Sequence, residues 1–148
     1  MGHEWFMRQA LEEAEEALRE GEIPIGAVVV HHGEVIARAH NRREQARDAT
    51  AHAEVLAIRL AGERLGGWRL NGAVMYVTVE PCPMCAGALL QARVERVVYG
   101  AREPKTGAVI SAVELLQDPR FNHRVEVVPG VLEAPCRELL QRFFAERR

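Results

Sequence analysis

Apolar residues recur along this chain with two different periods, and each change of period marks a new element. Trp5, Met7, Ala10, Leu11, Ala14, Ala17 and Leu18 follow helical spacing, and Gly21 stands where such a helix would end. The β-branched run IPIGAVVV at 23–30 and the segment EVIARAH at 34–40 predict two strands, joined into a hairpin by the turn HHGE at 31–34. The polar stretch NRREQARDAT at 41–50 is expected to be loop. AHAEVLAIRLAGERL at 51–65 puts Val55, Leu56, Leu60 and its alanines on one face, which predicts a helix with Thr50 as its N-cap. AVMYVTV at 73–79 is apolar almost without a break, the mark of a strand covered on both faces. A helix over 83–94 follows, with proline in its first turn. Beyond it the pattern predicts a strand at 95–101, a short helix at 112–117 (AVELLQ), a strand at 124–130 and a terminal helix at 135–148. A hairpin followed by α/β alternation predicts a three-layer α/β/α sandwich around a five-stranded mixed sheet.

Composition narrows this picture. No repeat, linker or low-complexity tract interrupts the 148 residues, so 1–148 is read as a single domain. With 48% hydrophobic and 27% charged residues the chain is not of the disordered type. No apolar run approaches the roughly 20 residues of a membrane helix. The acidic, amphipathic start MGHEWFMRQALEEAEE does not read as an export signal, so the cytoplasm is the expected compartment. There, paired cysteines point to metal or catalytic chemistry rather than a disulfide. A formal net charge of -2 argues against coating nucleic acid by bulk charge, and leaves room for a local basic patch.

Cys82 and Cys85 fall where the buried strand meets a helix, in EPCPMC. The partial positive charge of a helix N-terminus lowers thiol pKa, and thiolates serve redox and metal chemistry alike. His52-Ala53-Glu54 starts the other helix that precedes a strand of the sheet. One imidazole and two thiolates make a soft three-ligand shell that holds zinc with a fourth position open to water. Glu54 sits in the same turn as His52, where it can carry protons for that water more readily than ligate the ion. His-x-Glu followed by Pro-Cys-x-x-Cys is the signature of zinc nucleobase deaminases. Three other readings stay open: the same hydrolytic site acting on free guanine, cytosine or a deoxynucleotide; a structural zinc site with Cys136 as fourth ligand; and a thiol oxidoreductase, which leaves His-x-Glu unexplained. Packing as a small hydrophobe accounts for Cys136 more simply. Elsewhere the ordinary readings come first. Arg42, Arg43 and Arg47 are expected in a solvated loop, His31 and His32 in an exposed turn, and His40 and His123 at the surface. Trp5 and Trp68 are expected to pack, and Leu139, Leu140, Phe143 and Phe144 to dock on the core.

Over essentially its whole length the sequence resembles the bacterial tRNA-specific adenosine deaminase family. The likeness runs through EIPIGAVVV, HNR at 40–42, DATAHAE at 48–54, EPCPMCAGAL at 80–89, RVVYGAREPKTGA at 96–108, FNHRVEV at 121–127 and the FF of the last helix. It implies a cytidine-deaminase-like fold and one zinc per chain held by His52, Cys82 and Cys85. It further implies Glu54 as proton shuttle and Asn41 at the target base. The implied reaction is hydrolysis of adenosine to inosine at the first (wobble) anticodon position of tRNA, by attack of zinc-bound hydroxide on C6. Contacts to the anticodon stem-loop are implied for Arg102, Glu103, Lys105 and Phe144, and a homodimer for the helices that follow the zinc motifs. Glu103 stands where relatives often carry Asp and Ile110 where they often carry Gly, both in the loop that meets RNA in the family.

Overall fold

β1 (Gly26–His31), β2 (Glu34–His40), β3 (Ala73–Val79), β4 (Arg96–Ala101) and β5 (Glu126–Val128) form one mixed sheet in the order β2-β1-β3-β4-β5. The computed structural model describes residues 2–147. β1 is antiparallel to β2 and β3, while β3–β4 and β4–β5 are parallel. The hairpin turns at His32 and Gly33, both with positive φ (51° and 79°), the pair of left-handed residues that a two-residue turn between twisted strands requires. The pairing of β1 with β2 shifts register between Val29 and Val30.

Side chains alternate along each strand and so feed two separate layers. Ala27, Val29, Met75, Val77, Val97 and Tyr99 face α3 (Ala53–Leu65) and α4 (Pro83–Gln91). Val28, Val30, Tyr76 and Val98 face α1 (His3–Arg19) and α5 (Glu133–Glu146). Helices come close to the sheet because their inner stripes are small: Ala10, Ala14 and Ala17 on α1, Ala57 and Ala61 on α3. The approach is tightest at Gly26, where a Cβ would stand 2.0 Å from the Ala10 carbonyl oxygen. Leu89 anchors α4, and removing a leucine side chain of this kind from water is worth about 1.5–3 kcal/mol.

Several boundaries depart from the sequence expectation. The segment 41–50 is not all loop: Arg43–Ala46 forms one helical turn, α2. Its free N–H groups at Glu44 and Gln45 are accepted by the buried Glu22 carboxylate at 3.1 and 2.7 Å. α3 is capped by His52, not Thr50, because the Thr50 hydroxyl and N–H both go to Asp48 Oδ1, at 2.7 and 2.8 Å. α4 stops at Gln91 rather than 94. Arg93 turns left-handed (φ 62°), and the N–H groups of Arg93 and Val94 close a Schellman motif on Leu90 and Leu89. At 112–117 only Leu115–Gln117 winds, as a single 3-10 turn. The N–H groups of Ala112, Val113 and Leu115 are already drawn back to Gly107 and Ala108. β5 is three residues long, and the last helix begins at Glu133. Position 148, included in the expected terminal helix, lies outside the described residues. Among the described residues no helix is long and apolar enough to cross a membrane.

Candidate metal centre and active site

Strand direction decides where the chemistry gathers. Gly26 pairs with His40, and Val79 with Ala101, so the start of β1 and the ends of β2, β3 and β4 share one edge of the sheet. Asn41, Cys82 and the 102–111 loop follow directly from those ends. α3 runs back along the sheet into β3, which brings its N-terminus, with His52, to the same edge. In open α/β sheets the crevice beyond the strand ends is where ligands are held.

His52 and Cys82 are the N-cap residues of α3 and α4, and neither makes an ordinary side-chain capping bond. Both point instead at a common centre. His52 Nδ1 lies 3.7 Å from Cys82 Sγ and 3.6 Å from Cys85 Sγ, and the three donor atoms all fall within 4.8 Å of one another. On a tetrahedral zinc with N at about 2.05 Å and S at about 2.3 Å, N and S would stand about 3.6 Å apart. The donor set and its spacing therefore fit one such ion with a fourth position to spare. Cys136 cannot complete the set, because it packs at Gly100 in the opposite layer with Phe6 and Val98. All three cysteines are free thiols. The imidazole set against both thiols of the Cys82–Cys85 pair is what the dithiol reading leaves without a purpose.

The charges at this edge are unusual. The Cys82 thiol, hydrogen-bonded by Cys85 and then by His52, is pulled down to about 4. Cys85 is pushed up by that same bond to Cys82 and by burial. Cys82 raises the pKa of His52. Glu54 is 4% exposed, and burial pushes its carboxyl up to about 7. A dication among these groups would ionise both thiols outright. A carboxyl poised near neutrality can both take and give a proton.

Asn41 is buried beside them. Its Nδ2 donates to the Ile23 carbonyl at 3.3 Å and its Oδ1 accepts the Arg43 N–H at 3.1 Å. One amide hydrogen and one lone pair remain. Asn41, Arg43, His52 and Glu54 bound a cleft of about 50 Å³.

The remaining expected contacts scatter more widely. Arg102 and Lys105 are exposed on the loop after β4, and Glu103 Oε1 accepts the Lys105 N–H at 3.1 Å. Leu139 and Phe143 dock on the core, but Phe144 is 53% exposed. Trp5 and Trp68 do not pack inside either; they are 45% and 60% exposed. Arg42, Arg43 and Arg47 are exposed as expected. His31 is half-buried rather than free, its Nε2 3.2 Å from the Asn71 carbonyl oxygen, and His123 Nε2 lies 2.8 Å from that of Val94. Sequence reasoning passed over Glu80, which is 3% exposed. Burial opposes its ionisation, but hydrogen bonds from Ile110, Ser111 and Glu103 outweigh that and hold its carboxyl below the ordinary value. The available signal was an acidic residue closing an otherwise apolar strand.

The chain matches, over residues 1–148, the family model described as MafB19-like deaminase. It is 55% identical over 145 residues to the tRNA-specific adenosine deaminase of Bacillus subtilis (strain 168), covering 98% of this chain and 90% of that one. To the tRNA-specific adenosine deaminase of Agrobacterium fabrum (strain C58 / ATCC 33970) it is 50% identical over 143 residues, covering 97% and 94%. A solved structure from a study of A-to-I editing by tRNA:A34 deaminases at the wobble position of transfer RNA matches with a TM-score of 0.89 at 49% identity, over 92% of this chain and 99% of that one. The five-stranded, cytidine-deaminase-like architecture expected from the sequence is the one observed.

Proposed function

From its place in the tRNA-specific adenosine deaminase family, to which the chain belongs, we propose that this hydrolytic enzyme converts adenosine to inosine at the first (wobble) anticodon position of tRNA. What carries the reading is the convergence of His52 Nδ1 on both thiols beside the buried Glu54.

His52, Cys82 and Cys85 hold one zinc per chain. Zinc, when bound, supplies a Lewis acid that makes water a competent nucleophile near neutral pH. Glu54 takes a proton from the water that attacks C6 and delivers it to N1 of adenine. It then assists protonation of the departing amine, so adenosine and water become inosine and ammonia. The buried setting of Glu54 keeps both protonation states within reach, as a group with two successive proton transfers needs. Asn41 turns its unspent amide hydrogen and lone pair to the base.

The target base must leave any stack to reach this cleft, which costs least in a single-stranded loop. Arg102, Glu103, Lys105 and Phe144 contact the anticodon stem-loop, and binding of the flanking nucleotides positions the base in a way a free nucleoside cannot match. The enzyme works in the cytoplasm as a single-domain subunit of a homodimer. The groove between α3 and α4, lined by Ile58, Trp68, Ala88, Gln91 and Ala92, lies on the helices to which the family resemblance assigns the dimer contact.

The deciding experiment is a competition. The enzyme is offered free adenosine, guanine, cytosine and an anticodon stem-loop with adenosine at its first anticodon position, and the products are separated chromatographically. Inosine should form fastest in the stem-loop; preferential turnover of a free base would identify a salvage enzyme instead. Sedimentation should give twice the chain mass.

A further inference from the structure

The Glu80 carboxylate is the hub of the loop that follows β4. Its Oε1 accepts the Glu103 N–H at 3.1 Å and the Ser111 hydroxyl; its Oε2 accepts the N–H groups of Val109, Ile110 and Ser111 at 3.2, 2.8 and 2.9 Å. Three successive backbone N–H groups aimed at one oxygen make an anion-binding nest, here filled by the protein's own side chain. The loop is shaped around that carboxylate. At Gly107 a Cβ would lie 2.5 Å from Glu80 Cδ and 2.5 Å from the Glu103 carbonyl oxygen, so only glycine lets the chain close over it.

The other end of the hub is fixed to the cluster. Glu80 stands two residues before Cys82; its own N–H donates to the Ala101 carbonyl, and the Ala108 N–H donates to Pro81, both at 2.8 Å. One buried side chain thus couples the strand end that delivers Cys82 to the loop that carries Arg102, Lys105 and Ile110. Burying a carboxylate is costly unless it is fully hydrogen-bonded. Because the carboxylate that gathers these donors belongs to the residue just before Pro81 and Cys82, the position of the loop is tied to that of the strand end.

We infer that Glu80 is a positioning residue: it sets where the 102–111 loop stands relative to His52, Cys82 and Cys85, and so governs how tightly the enzyme holds RNA around the target base. This rests on the function proposed above. Glu80 touches no reacting atom, and its effect is exerted through substrate binding.

The test is Glu80→Gln. The amide group puts an N–H where the loop's donors expect an oxygen, with almost no change in size. Hydrogen exchange of the 103–111 amides should quicken while zinc content stays that of the wild type. KM for the anticodon stem-loop should rise about tenfold or more, with kcat changed by less than about threefold. Glu80→Asp, which keeps both acceptor oxygens but is shorter by one methylene, should recover part of the KM; it also supplies the comparison if the glutamine variant does not fold. Unchanged exchange overturns the inference, as does a fall in kcat at constant KM or loss of metal. If the wild type leaves the stem-loop untouched, the proposed substrate is wrong, whereas the exchange measurement still decides whether Glu80 holds the loop.

Discussion

His52 Nδ1 stands 3.7 Å from Cys82 Sγ across 30 residues of chain, and each residue is the N-cap of its own helix. N-caps are ordinarily Ser, Thr, Asp or Asn, whose side chains satisfy a free N–H of the first turn. Here α3 forgoes that bond, worth about 1 kcal/mol, and at α4 the Cys82 sulfur is engaged by Cys85 and by His52 in place of an oxygen cap. The arrangement sacrifices local helix stability to place donors at a shared point where two positive helix ends also converge.

Removing a donor should therefore remove the metal. Cys82→Ala and Cys85→Ala are expected to lose zinc as measured by elemental analysis of the purified protein, whereas Cys136→Ala, altered in the opposite layer, should retain it. Full occupancy in both of the first two variants would sink the ligand assignment.

Glu54→Gln should keep zinc and RNA binding but lose turnover by roughly 10²- to 10⁴-fold, the usual worth of general acid–base catalysis. Glutamine nearly matches glutamate in shape but cannot carry the proton. Single-turnover rates on the stem-loop at saturating enzyme would show this, and a near-normal rate would place the proton carrier elsewhere.

His40 gives the fold a pH dependence away from the centre. Its Nδ1 lies 2.8 Å from Glu13 and its Nε2 2.9 Å from Glu20; Glu13 also takes Arg38, and Glu20 takes Gln45 and feels Arg42. The bond with Glu13, then that with Glu20, raises the His40 pKa against burial, and His40 in turn lowers both carboxyls. The stability contributed by His40 is complete below its unfolded value of 6.5 and is lost as pH rises through the higher folded value. The carboxyl part is present above 4.5 and lost as pH falls through the folded values. The cluster should contribute most between those two pH values. In His40→Gln the fall in melting temperature from about pH 6 to about pH 9 should be smaller than in the wild type. Parallel curves would show that the histidine contributes nothing of the kind.

Gly26→Ala should destabilise without touching the centre. The new methyl would meet the Ala10 carbonyl oxygen at 2.0 Å and the Ala14 nitrogen at 2.5 Å, both backbone atoms that cannot rotate away. Overpacking of this sort costs about 1–3 kcal/mol or more, a loss of several degrees in a chain of this size. Calorimetry showing an unchanged melting temperature would mean that α1 moves off the sheet more freely than its packing implies.

The parts of this molecule legible in the sequence are those whose cause is local. The hairpin was readable because His32-Gly33 interrupts two β-branched runs, and the start of α4 because Pro83 suits a first turn. The meeting of His52, Cys82 and Cys85 could be read from spacing because His52 and Cys82 each open a helix. What failed had distant causes. α2 depends on a carboxylate from Glu22, and α3 starts at His52 because Asp48 engages Thr50. The expected helix at 112–117 yields to Gly107 and Ala108, which capture its N–H groups first. Glu80 gave no hint beyond its place after an apolar strand, since all its loop partners lie at least 23 residues further on. Phe143 and Phe144 look alike in sequence, and only the docked angle of α5 separates the buried ring from the exposed one.

Both rims of the sheet are poor templates for another strand. β5 offers three residues, and the outward Arg96–Glu126 pair lies across its junction with β4. At the opposite rim the register shift between Val29 and Val30 disrupts the regular pairing of β2, which also carries Arg38 and His40 tied down by carboxylates from α1. Interrupted and charged rims resist strand addition and the aggregation that follows from it. Copies of this protein are thus steered away from edge-to-edge stacking and from the fibres that such stacking builds.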